Sequence, residues 1–390
     1  MHIVRMQPSN QLSPNSFVIL LPLPTMDTIE QGRSARPIAR WLMIGVAMII
    51  VQIILGGITR LTGSGLSITE WDLVTGTLPP LNHQHWQEAF EKYQQTEQFR
   101  QLNSGFTLPD FQFIFFWEWF HRLWGRLIGV VFAIPFIIFL VQKRFKKEMV
   151  MPLVILFLLG ALQGAVGWIM VASGLTGDAV YVRPAKLGLH FILALILLCY
   201  TYWFALKFVV RNGQLVFHKG LKTFTWVLLV LLFVQLFYGA LMAGYRAAPY
   251  APTWPTINGQ MIPYSMTSAP PSNLSGEELK SWSDRKIIIT THFIHRTMAY
   301  TLVLLVLAWT FMALKVQGSA AFRKIRWFPL IFVCWQTVLG ILTVLSSTGI
   351  RAYRWNEFEW MAQLHQLTAI FLLISLLHML YLLQGRKENL

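Results

Sequence analysis

The stretch Phe116-Trp117-Glu118-Trp119-Phe120-His121-Arg122-Leu123-Trp124-Gly125-Arg126 sets an acid, an imidazole and two guanidiniums inside a run of aromatic and aliphatic residues. An ionisable side chain at the centre of a membrane helix costs about 2.5–3.5 kcal/mol on insertion scales, so such residues face a cofactor, a cavity or one another. Glu118 and His121 are three residues apart, and His121 and Gly125 four, so a helix carries all three on one face. That face holds an acid, a metal-ligating group and a gap.

The surrounding chain supports a membrane setting. Of 390 residues, 55% are hydrophobic and only 13% charged, where a soluble domain carries about 25% charged residues. The apolar residues form eight runs, near 38–59, 112–141, 150–172, 186–206, 223–244, 287–313, 327–346 and 361–383. Each is long enough to cross a hydrocarbon core as a helix.

The net charge of +15 follows this layout and does not point to nucleic acid. Lys and Arg crowd the short segments before run 1, between runs 2 and 3, 4 and 5, and 6 and 7, and after run 8. On the other side they are diluted over longer connections and mixed with Glu70, Asp72, Glu91 and Glu97. By the positive-inside rule both termini are cytoplasmic, or in the matrix. Cys199 and Cys334, the only cysteines, lie within apolar runs, which argues against a structural disulfide. Residues 1–36 carry neither a signal-peptide nor a transit-peptide pattern and read as a flexible cytoplasmic tail.

The runs repeat. The odd ones carry Gln-x-x-x-Gly, as Gln52/Gly56, Gln163/Gly167, Gln235/Gly239 and Gln336/Gly340. The even ones carry a histidine with a small residue four later, as His121/Gly125, His190/Ala194, His295/Ala299 and His365/Ala369. His121 to His295, His190 to His365 and Gln163 to Gln336 are nearly equal spacings, and Gln52/Gln235, Trp71/Trp254 and Gly76/Gly259 share a slightly larger one. The expected fold is therefore an all-α polytopic membrane protein whose eight transmembrane helices form two tandem, pseudo-symmetric four-helix bundles, at 37–207 and 223–384. An even number of helices per half gives both halves the same orientation. Two long outer connections, about 60–111 and 245–286, are rich in Gly, Pro and Trp and read as structured turns over the bundle mouths.

Four histidines at repeated positions, a few residues below the outer surface, suit a porphyrin iron with an imidazole above and below. The Gly or Ala one turn away would let the macrocycle lie against the backbone. A zinc or di-iron site would call for more carboxylates or thiolates at that depth, where only Glu118 is available. His2, His83, His85 and His218 fall in tails or loops, and His378 lies at the cytoplasmic end of run 8. His292 shares a face with His295, but the parallel between His121-Arg122 and His295-Arg296 favours His295 as the ligand. Glu118 aligns with His292, so only one bundle has a carboxylate beside its iron site. It serves either as a structural partner of Arg122 or as a proton-moving group. Arg60, Arg122, Arg126 and Arg296 are candidates for propionate or pocket contacts.

Gly56-Gly-Ile-Thr-Arg-Leu-Thr-Gly-Ser-Gly-Leu-Ser-Ile-Thr-Glu-Trp71, Glu118-Trp-Phe-His-Arg122 with Gly125-Arg126, and His295-Arg296 with Ala299-Tyr300 resemble haem A synthase, from about residue 37 to 384. The resemblance implies an inner-membrane oxidoreductase, bacterial or mitochondrial, that converts haem O to haem A. A porphyrin methyl becomes a formyl through successive hydroxylations and loss of water, for terminal oxidase assembly. It implies haem B as cofactor on His295 and His365, haem O as substrate on His121 and His190, and a catalytic Glu118. Haem O synthase, an electron donor and a homo-oligomeric assembly are the partners it suggests besides the bilayer. The first outer loop has no cysteine pair, which places the chain with the cysteine-free branch. The competing reading is a two-haem electron carrier of the b type, without porphyrin chemistry. A transporter built from repeats would need broken helices or a polar path at the midplane, and the sequence offers neither.

Overall fold

In the computed structural model, which describes residues 35–70, 75–350 and 355–385, each of the eight apolar runs is helical. In chain order the helices are α1 (Ala35–Leu61), α2 (His83–Gln94), α3 (Leu108–Val141), α4 (Lys147–Ala172), α5 (Pro184–Val209), α6 (Lys219–Gly244), α7 (Gly276–Leu314), α8 (Ala320–Ile325), α9 (Phe328–Leu345) and α10 (Glu357–Leu382). With α8 and α9 counted as one span, eight of these elements are long and apolar enough to cross a membrane among the described residues. A helix satisfies its own backbone groups, which is what hydrocarbon demands of a crossing segment.

Polar caps carry several helices beyond their apolar runs. Ahead of α3, the Thr107 N–H and hydroxyl both donate to Asp110 Oδ2, at 2.9 and 2.5 Å. The Asn356 N–H donates to Glu359 Oε2 at 2.9 Å at the start of α10. Both are capping boxes, which start a helix with polar residues. The expected connection over 245–286 is shorter than its composition indicates, because α7 begins at Gly276. Glu277 and Glu278 sit in its first turn, where carboxylates favour the helix dipole. Those polar first turns escape a reading based on apolar runs.

The long connection after α1 is also more than turns. It contains α2, whose Phe90 and Tyr93 pack with Phe111, Ile114 and Phe115 of α3 into a small aromatic core. In the second connection Ile257 and Gln260 bond each other's backbone, at 2.8 and 3.1 Å, around Asn258 and Gly259. Both turn residues have positive φ, 51° and 86°, the two-residue turn for which Asn-Gly is suited. Residues 1–34, and Trp71 of the repeat, lie outside the described residues.

The described helices belong to one unit, Gln31–Leu390. Within it α1 packs on α3 and α5, and α4 on α5, while α6 packs on α7 and α10, and α9 on α7 and α10. Contacts of α5 with α6, α1 with α10, and α5 with α10 join the two sets. Half or more of the most apolar stretch of α5 and of α10 is buried, and none of that of α3, so α5 and α10 are central and α3 faces outward. Since lipid is as apolar as the helices, interhelical polar bonds help to fix the packing. The indole N–H groups of Trp41, Trp124 and Trp309 donate to Val131 O (2.8 Å), Met48 O (2.9 Å) and Thr225 Oγ1 (2.8 Å). Tyr202 Oη lies 2.6 Å from His378 Nδ1 across α5 and α10.

Candidate functional site

Every histidine of the repeat meets the glutamine and glycine of the preceding span. Gln52 on α1 donates to the His121 carbonyl oxygen at 3.1 Å, and its Nε2 lies 3.3 and 3.2 Å from the two ring nitrogens. Near-equal distances to both nitrogens put the amide over the ring rather than on one lone pair. Gln163 repeats this on His190, 3.2 Å to the carbonyl and 3.3 Å to each ring nitrogen. Gln235 donates to the His295 carbonyl at 3.0 Å and lies 3.5 Å from Nε2. Gln336 Nε2 lies 3.1 Å from His365 Nε2, and His365 Nδ1 lies 3.0 Å from the Gln336 carbonyl oxygen.

The glycine one turn after each glutamine makes room for the ring. A Cβ added at Gly56, Gly167, Gly239 or Gly340 would stand 3.2, 2.8, 3.3 or 2.9 Å from Cε1 of His121, His190, His295 or His365. The glutamine and glycine thus form a clasp that sets the plane of the imidazole. This function of the odd-run motif could not be assigned from spacing alone. The small residue four after each histidine was expected to bed a macrocycle, but at Gly125 a Cβ would be in ordinary contact with Gln52, 3.5 Å from Nε2. The tightest fit is on the opposite helix.

His295 and His365 face each other with ring centroids 6.4 Å apart and planes at 73°. A metal–imidazole bond of about 2.0 Å on either side of one ion puts the ring centres roughly 6 Å apart, so this pair has the separation that two axial ligands need. Among the described residues no group of three or more His, Cys, Asp or Glu side chains is placed to hold a metal by itself. A site with two imidazoles therefore calls for a ligand that brings its own equatorial donors, as a porphyrin does. The Oε1 atoms of Gln52, Gln163, Gln235 and Gln336 are all buried without a hydrogen-bond partner among the described residues, so the four sites also share a free acceptor.

Glu118 is 2% exposed. Its Oε1 pairs with Arg122 Nη2 at 2.6 Å, while its Oε2 accepts from the Ser67 hydroxyl at 2.7 Å and the Ile68 N–H at 2.9 Å. Arg122 also donates to Ile68 O and Glu70 O, both at 3.1 Å. The acid and the arginine together strap the first outer loop to the helix that bears His121. In the other half the fully buried His292 lies 2.8 Å from Ala247 O through Nε2. Arg296 donates to Ala251 O (2.7 Å), Thr253 O (2.7 Å) and Thr256 O (3.2 Å). His292 is thus committed to a loop carbonyl, while His295 faces His365. Ser67 and the Ile68 amide are site members that sequence reasoning did not single out.

The remaining candidates are dispersed. Arg60 donates to the Ala243 and Gly244 carbonyls at the end of α6, where a helix terminus favours a cation. Tyr181 lies beneath both Arg60 and Arg246, at 5.9 and 4.0 Å from its ring centre. Arg126 is half-buried one turn beyond Arg122. His83 and His85 are exposed, whereas His218 caps α6 by accepting from the Leu221 N–H at 3.0 Å. Cys199 and Cys334 are free.

Residues 39–377 match the family model described as cytochrome oxidase assembly protein. Among similar proteins, the haem A synthase of Bradyrhizobium diazoefficiens is 41% identical over 326 residues, 83% of this chain and 88% of that one. That of Nitrosomonas eutropha is 38% identical over 333 residues, covering 84% and 91%. That of Flavobacterium psychrophilum is 37% identical over 346 residues, covering 87% and 96%.

Proposed function

Because the chain belongs to the cytochrome oxidase assembly protein family, we propose that it is a haem A synthase, a multi-pass oxidoreductase of the bacterial inner membrane that oxidises a methyl group of haem O to the formyl group of haem A. The observation that carries the reading is the imidazole pair at 6.4 Å, together with a glutamine amide against the ring of all four histidines. Residues 37–207 form the substrate half, with haem O between His121 and His190. Residues 223–384 form the cofactor half, with haem B between His295 and His365. The recurrence of the helix contacts supports this division: α1/α3, α4/α5 and α1/α5 correspond to α6/α7, α9/α10 and α6/α10. The Lys and Arg distribution supports cytoplasmic termini.

Haem B, when bound, supplies one-electron transfer. The residues of the chain provide the rest. The clasps set the imidazole planes, and Glu118 with Arg122 straps the first long connection to α3, the helix that bears His121. Glu118, one turn from His121, is bonded to a hydroxyl, an amide and a guanidinium together. Its role is to accept and pass on protons released as the methyl carbon is oxidised. Haem O synthase upstream and a membrane-accessible electron donor complete the setting.

Glu118→Gln preserves shape and the loop bonds while removing the charge. The expected result is full haem content with haem A formation reduced about 100-fold or more, read from the haems extracted from purified protein. Undiminished haem A would remove Glu118 from the chemistry. Haem B alone in the native protein, with intact redox behaviour, would make it a two-haem electron carrier.

A further inference from the structure

The two imidazoles of a pair are not gripped alike. At Gly167 and Gly340 a Cβ would approach Cε1 of His190 and His365 to 2.8 and 2.9 Å, closer than real side chains tolerate. At Gly56 and Gly239 the approach to His121 and His295 is 3.2 and 3.3 Å, which a shift of a few tenths of an ångström relieves. In each half the tighter seat belongs to the later histidine. A second observation agrees in the cofactor half. His365 Nδ1 has the Gln336 carbonyl oxygen at 3.0 Å in good hydrogen-bond geometry, whereas the corresponding approach of His295 to the Gln235 backbone falls short of that geometry. A carbonyl on Nδ1–H fixes the tautomer and leaves Nε2, which lies 3.1 Å from Gln336 Nε2, as the ring's lone-pair nitrogen.

We infer that His190 and His365 are the anchoring ligands of their haems and that His121 and His295 are the yielding ones, with Gln163, Gly167, Gln336 and Gly340 as the positioning residues behind the anchors. The inference rests on the haem reading above and deepens it. In the substrate half the yielding imidazole is the one on α3, a single turn from Glu118. With a porphyrin iron bound, release of His121 would part only its imidazole from the metal, the ring keeping its electron pair, so that no electron would change hands. The place that His121 would vacate would be next to the turn of α3 that carries Glu118. A substrate iron held by two equally firm imidazoles would have no such position.

The test uses full-length protein purified with its haems and four variants: His121→Gly, His190→Gly, His295→Gly and His365→Gly. Loss of an anchor is expected to lower the haem content of that half by roughly tenfold or more, the scale on which ligand-orienting shells act. Loss of a yielding ligand is expected to leave the haem bound but high-spin, with the low-spin spectrum restored by added imidazole. Equal loss in both members of a pair, or retention after removal of the later histidine only, would overturn the inference. If all four variants kept two low-spin haems, the haem reading itself would fall. Should the His→Gly proteins not fold, Gly239→Ala and Gly340→Ala give the same comparison. The Gly340→Ala protein is expected to shift the electron paramagnetic resonance signal and midpoint potential of haem B further than the Gly239→Ala protein does. Equal shifts would refute the asymmetry.

Discussion

Glu118 and His292 hold the same place one turn before a histidine, and each fastens the outer loop of its own half. The acid does so with a partner whose charge it needs. Arg122 and Glu118 are 12% and 3% exposed at the side chain and 2.6 Å apart, so removing the arginine leaves a carboxylate stranded away from water. Arg122→Met should therefore cost about 3–5 kcal/mol. The equivalent change at Lys92, whose pair with Glu70 is 51% and 59% exposed, should cost about 0–1 kcal/mol. Thermal denaturation of the two variants in one detergent checks the contrast, and equal losses would mean that Glu118 is better solvated than its surroundings indicate. The contact of each repeated histidine with a glutamine was foreshadowed in the sequence, because the two motifs recur at fixed spacing, and Glu118 stood out because it breaks the repeat. Ser67 and the Ile68 N–H were not legible, because a loop hydroxyl and a backbone amide leave no periodic mark.

At the scale of the element, the first outer connection behaves as a folded unit on the end of α3. Tyr93 is fully buried, its ring stacks on Phe111 with centroids 5.3 Å apart, and its hydroxyl donates to Gln98 Oε1 at 3.1 Å and accepts from Asn103 Nδ2 at 2.5 Å. Tyr93→Ala should remove about 3–5 kcal/mol from this subdomain. The expected outcome is faster proteolytic cleavage between residues 78 and 105 with the spans still inserted; unchanged cleavage would show that α2 does not depend on this core. The apolar length of the spans identified all eight, whereas α2 and the first turns of α7 were missed because their polar residues carry no membrane signal. Amphipathic pairing with α3 explains α2, and acid-rich first turns explain the start of α7.

Across the whole molecule, α5 and α10 each pack within one set of helices and also in the contact between the two sets, so the helices bearing His190 and His365 are also the most enclosed. A ligand that binds only the folded form adds stability as RT ln(1 + [L]/Kd), about 2.7 kcal/mol at a hundredfold excess over Kd. Protein made in haem-depleted cells should melt at a lower temperature than the loaded form and recover when haemin is added. Equal melting temperatures would mean that the two bundles close without their porphyrins. The repeated glutamine–glycine and histidine motifs were readable from the offsets between them. The packing of the helices was not, since which helix meets which depends on surfaces such as Gly188 against Phe237.

The clasps also bear on how the protein is made. Each joins a histidine to a glutamine and glycine on the span immediately before it in the chain: α1 with α3, α4 with α5, α6 with α7, and α9 with α10. A seat for one imidazole is therefore complete as soon as two successive spans have left the ribosome and entered the bilayer. A place for iron needs two such hairpins. If each half holds a porphyrin as proposed, the first could receive its own while the second is still being synthesised, and the order of translation would become an order of loading.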